Sequence, residues 1–152
     1  MKLATALSER ADIQKRITEL QTRLNNNAKV QEGEEPAEDP KVLLKELDAL
    51  LERLEWLMAR INLTNSATVS EGKTMTELLA RRDCLSKRLI IMRSFLDASS
   101  ARVDRYSQKE IKILSTVKVS QLQKQVDADS KALRELDEQI QSLNWTTDLL
   151  ES

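Results

Sequence analysis

DPKVLLKELDALLERLEWLMARI, residues 39–61, is the stretch whose reading decides the fold. Its apolar residues recur at Leu43, Leu47, Leu50, Leu54, Leu57 and Ile61, three or four positions apart. That spacing holds one face of an α-helix apolar, and its average of about 3.5 residues is the repeat of helices that pack along their whole length. Leu44, Leu51 and Met58 widen the stripe, and no polar residue interrupts it, so this helix is expected to be the most buried. Its start is also marked. Asp39 is a good N-cap, and Pro40 takes the first helical position, where a missing N–H costs nothing.

The same repeat extends in both directions. Residues 3–26 step through Leu3, Ala6, Arg10, Ile13, Ile17, Leu20 and Leu24, and three asparagines at 25–27 end the run. A third helix is predicted from Thr74, where Thr74 and Glu77 match the capping-box pattern. Its stripe runs through Met75, Leu78, Arg82, Leu85, Leu89, Met92 and Leu96, and ends near Val103. It has a second apolar edge at Cys84, Ile91, Phe95 and Ala98, which predicts contact on two sides. A fourth helix begins between Thr116 and Ser120 and steps through Leu122, Val126, Asp129, Leu133, Leu136, Ile140 and Leu143. The fold class is therefore all-α: four long antiparallel helices, as a bundle or as coiled-coil hairpins, in a single domain spanning residues 1–152.

Composition agrees. Of 152 residues, 32% are charged and 3% aromatic, with 2 Gly and 2 Pro, a balance typical of long helices. The net charge of −1 provides no field for nucleic acid, so no nucleic-acid partner is expected. One cysteine, Cys84, excludes an internal disulfide and suits a reducing, cytoplasmic setting. The first residues turn charged at Ser8-Glu9-Arg10, too early for a signal-peptide core. The longest strongly apolar run is 89–92, whereas a membrane span needs about 20 residues. The triplets at Asn62 and Asn144 that match a glycosylation site are read as accidental.

The joints, at 28–40, 62–73 and 104–118, exceed the usual 2–8 residues of bundle connections. Residues 64–69 are rich in β-branched side chains, and 110–113 alternate polar and apolar, with 117–119 continuing the pattern. Short extended pieces are expected there, with 28–32 able to pair with 110–114.

The segments NNAKVQEGEEPAEDP (26–40), RINLTNSAT (60–68), LLARRD (78–83), DRYSQKEIKI (104–113) and LNWTTDLL (143–150) resemble a family of small uncharacterised bacterial helical proteins. Some of its members carry the label septicolysin. The resemblance spans nearly the whole chain. It implies no catalytic residue or cofactor; the label implies a membrane-active cytolysin.

The residues themselves argue against catalysis. There is no histidine, the commonest general base and metal ligand. Gly33 and Gly72 cannot build a phosphate-binding loop. Arg81, Arg82 and Arg88 could activate Cys84, but it reads first as a small apolar residue at a helix contact. The acidic joint with Glu32, Glu34, Glu35 and Glu38 lacks Ca²⁺-loop spacing, so no metal or cofactor is expected. It reads as a solvated loop that could dock on a basic patch of another subunit or partner. The cytolysin alternative would place Arg10, Arg82 and Asp129 in lipid, at several kcal/mol each. The expected function is a self-associating helical scaffold or interaction protein without catalysis, a homo-oligomer with no membrane span.

Arg10, Arg82 and Asp129 also break the stripes that a packed seam requires. Two readings stand. They form a buried polar seam, with a partner chain or Glu52, Glu55 or Asp83 supplying carboxylates, or the arginines extend their heads to solvent from the seam edge.

Overall fold

The computed structural model describes residues 1–100 and 111–152. The described chain is all-α, with four helices: α1 Leu3–Asn26, α2 Pro40–Ala67, α3 Met75–Ser100 and α4 Val119–Thr146. One two-stranded ladder, β1 Val69–Ser70 and β2 Lys73–Thr74, joins α2 to α3. The described residues divide into two compact units. The first comprises Met1–Met75 and Ser142–Ser152, the second Thr76–Gln141.

In the first unit the expected start of α2 is observed. The Asp39 carboxylate accepts the Lys41 amide at 3.0 Å and Pro40 opens the helix. The helix then runs six residues past Ile61, through the β-branched stretch read as extended. Hydroxyls explain the extension. Thr64 Oγ1 donates to the Arg60 carbonyl at 2.7 Å and Ser66 Oγ to that of Asn62 at 3.0 Å, so these side chains are satisfied inside the helix. Thr68 closes it, with its amide and hydroxyl both on the Thr64 carbonyl.

The extended piece falls later, as a tight hairpin. Val69 pairs with Thr74 and Ser70 with Lys73. Glu71 and Gly72 turn the chain with φ of +51° and +81°, the positive pair that a type I′ turn requires. Thr74 directly precedes α3, as the capping pattern predicted.

Helices α1 and α2 run antiparallel, as their ion pairs show: Glu9 meets Arg53, Arg16 meets Glu46, and Arg23 meets Glu38. The buried side chains of this unit include Leu3, Ile13, Leu20, Leu43, Leu57 and Met75. Leu44, Leu51 and Met58 do not widen the core; they are 49%, 44% and 45% exposed.

In the second unit α3 and α4 run antiparallel around a core of Leu89, Leu96, Leu122 and Val126, flanked by Met92, Val117, Val119 and Leu133. Residues 112–115 are irregular and Val119 already begins α4, so the strand pattern at 111–119 forms no strand. Its apolar members instead split: Val117 and Val119 close the end of the core, while Ile111 and Ile113 stay exposed. Residues 28–32 are irregular as well. The expected end of the third helix at Val103 and the start of the 110–114 pairing segment lie outside the described residues.

Candidate functional site

The seam candidates are not buried together. Arg82 keeps a third of its side chain exposed, with Nε 3.9 Å from Asp137 and Nη2 3.5 Å from the neighbouring Asp83. Asp129 is more enclosed and accepts Arg88 Nε at 3.1 Å. Arg10 is half-buried in the other unit. Arg82 and Asp129 thus stand at the rim of the α3–α4 seam, each bridging to the facing helix. The reading with heads turned to solvent describes Arg82 better than the buried seam does, because a rim position lets the guanidinium keep its water.

The acidic joint is divided. Glu38 is engaged within the chain: Arg23 grips both carboxylate oxygens, Nε at 3.0 Å, and the Asn27 side chain accepts the Glu38 amide. Glu32, Glu34 and Glu35 are exposed. Among the described residues no cluster of acidic or cysteine side chains could hold a metal ion.

A feature missed in the sequence emerges from the repeat itself. With Leu3 as position a of a seven-residue repeat, Glu9, Arg16 and Arg23 each fall at g; on α2, Glu46 and Arg53 also fall at g. In an antiparallel pair these positions face each other, and here they form a ladder of ion pairs along one edge of the hairpin. Arg53 also lies 4.6 Å over the Trp56 ring. The hydrogen bonds from Arg53 hold the Glu9 carboxyl below the usual range, and those from Arg23 do the same for Glu38. The signal was present in the g letters, but attention to apolar periodicity passes over it.

A second missed feature is a clasp between the two ends of the first unit. Lys2 is a poor N-cap and provides no side-chain bond to α1. The orphan Leu3 amide donates instead to the Thr147 carbonyl at 2.9 Å, and the Leu149 amide donates to Met1 at 2.8 Å. Lys2 Nζ lies 2.8 Å from Asp148 and lowers its pKa by hydrogen bonding. Leu149 is buried, and the Leu150 amide donates to the Thr64 hydroxyl at 2.9 Å.

One side of α3 is open to solvent. Ile91 is 66% exposed and Phe95 42%, with Cys84 and Ala98 exposed beside them. The second edge expected of this helix therefore exists; among the described residues Ile113 and Leu114 line a hollow with its Phe95 and Ala98, while Ile91 and Cys84 are exposed, so Cys84 is not at an internal contact. Cys84, Lys87, Arg88, Ile91 and Met92 line a shallow, nearly wholly apolar hollow there.

The sequence matches DUF6847, a family of unknown function, over residues 10–149. The chain belongs to this family. A crystal structure of a functionally unknown conserved protein from Corynebacterium diphtheriae is 44% identical to it, covers 99% of both chains and superposes with a TM-score of 0.91. Comparison with curated proteins gives no match. The DUF6847 membership agrees with the resemblance to an uncharacterised family, and neither match carries the septicolysin label.

Proposed function

We propose that this DUF6847 protein is a self-associating helical interaction protein that acts without catalysis, in the cytoplasm, and without a cofactor or nucleic-acid partner. The observation that carries the reading is the apolar face of α3 that is exposed among the described residues, with Ile91 and Phe95 at its centre. Contiguous apolar surface of this kind marks association sites on folded proteins. Supporting it, the chain lacks histidine, and Arg82 and Asp129, two of the three charged residues that break its stripes, are used in ion pairs.

Sedimentation velocity at tens of micromolar tests the reading. A mass of two or more chains is expected, and a monomer at every concentration would overturn it. The septicolysin label would add lysis of bilayers. Among the described residues no helix is long and apolar enough to cross a membrane, and Lys87 and Arg88 flank the α3 face. Dye-loaded liposomes should stay intact in the presence of the protein; leakage would favour the cytolysin.

A further inference from the structure

We infer that self-association is head-to-tail: the exposed stripe of α2 in one copy docks on the exposed face of α3 in a second. The inference rests on the self-association proposed above and adds the surface that meets α3.

The α1–α2 hairpin has two unequal edges. The g edge is sealed by the Glu9–Arg53, Arg16–Glu46 and Arg23–Glu38 pairs. The opposite edge of α2 carries position e, where Leu44, Leu51 and Met58 recur every seven residues and remain 44–49% exposed. Facing positions on α1 are Leu7, which is half-buried, and Gln14 and Gln21, both exposed, so only one of the three offers a hydrophobe. On α3 the exposed residues Cys84, Ile91 and Ala98 also recur every seven residues, with Phe95 beside them. Each stripe spans fourteen residues, about 21 Å at the helical rise. The two are therefore matched in length and repeat, as helices that pack side by side require.

Charge selects the pairing. Around a helix, Lys41, Asp48 and Glu55 fall on the outer flank of the α2 stripe, all exposed, so the flank on either side of Leu51 is acidic. On α3, Lys87 falls on one flank of the Ile91 stripe and Arg88 on the other, with Arg81 two turns from Arg88 on its side. An antiparallel pairing of two α2 stripes about Leu51 would set the two carboxylate rows along each other. Any pairing of two α3 stripes would set cations against cations. Only α2 against α3 places Asp48 and Glu55 beside cations; Arg88 already pairs with Asp129, so the Lys87 flank is the one that takes the carboxylates. Since the two surfaces differ, the contact is heterologous; it closes into a ring or continues as a filament.

Complementation between two variants tests this. Leu51→Glu spoils only the α2 stripe and Ile91→Glu only the α3 stripe; both sites are exposed, and circular dichroism checks that each variant keeps its helices. Each variant alone should sediment as a monomer. Their equimolar mixture should form a dimer of twice the chain mass, one intact α2 stripe on one intact α3 face. The charge pair D48K/E55K mixed with K87E gives a second readout in which the helices keep every apolar residue: weakened assembly for each alone, recovery in the mixture. Leu51→Glu or Ile91→Glu assembling by itself would overturn the proposal in favour of an isologous contact, and so would a mixture of the two that stays monomeric. A monomeric wild-type chain would overturn both this proposal and self-association, whereas an oligomeric wild type without complementation would overturn this proposal alone.

Discussion

The Thr64 hydroxyl accepts the backbone N–H of Leu150, 86 residues away, while donating to the carbonyl of Arg60. Thr64 is 1% exposed, so this hydroxyl is the buried polar link between α2 and the C-terminal segment. Thr64→Val keeps the shape and removes both bonds, which leaves the Leu150 amide unpaired. A loss of about 1–3 kcal/mol is expected in urea unfolding. Thr64→Ser keeps the hydroxyl and should lose less. Equal losses for the two variants would show that the methyl group, not the hydrogen bond, is what matters.

Acid should loosen the first unit. Glu9, Glu38 and Asp148 all have carboxyl pKa values lowered by hydrogen bonds from Arg53, Arg23 and Lys2. Stability from a lowered carboxyl is fully present above its unfolded value, about 3.9–4.3, and is lost as pH falls through the lower folded value. Thermal melts should therefore be flat in this respect from pH 7 to about 5 and decline below about 4. Glu9→Gln should shrink that decline, and a variant that melts with the same acid profile would remove Glu9 from the account.

Arg82→Leu tests the seam. With a third of its side chain exposed and Asp137 3.9 Å away, Arg82 is a rim ion pair. Such pairs contribute about 0–1 kcal/mol, so the substitution should leave the melting temperature nearly unchanged and the assembly intact. Asp137→Asn should be equally mild. A loss of about 3–5 kcal/mol on removing the carboxylate would instead mark a buried guanidinium left unpaired.

Glu71 occupies the left-handed region at φ +51°, next to Gly72. Asn tolerates that conformation better and makes the favoured Asn-Gly turn. Glu71→Asn should raise stability by roughly 0.5–1 kcal/mol. Gly72→Ala should lower it by a similar or larger amount, although a Cβ there meets no atom within 4 Å, because the strain is in the backbone. If both variants melted like the wild type, the hairpin would not be contributing to stability.

The sequence by itself determined the helices. Leu43 to Ile61 and the Asp39-Pro40 start needed only a periodicity and a cap, both local properties, and α2 begins where they said. It also held the ion-pair ladder, since the g letters of Glu9, Arg16, Glu46 and Arg53 follow from the repeat. Tertiary structure alone decided what the stripes meet. Leu44, Leu51 and Met58 read as core from their spacing, yet stay exposed, because burial depends on a neighbour that periodicity does not name. Thr64 read as a strand former and is a helical core residue, since its hydroxyl is satisfied by Arg60 and by a segment 86 positions on. Arg82 interrupts its stripe in sequence but lies at the rim in space, where a few ångströms of side chain return the charge to water. Such long-range pairings leave no local pattern in a single sequence, and they separate a set of amphipathic helices from this fold.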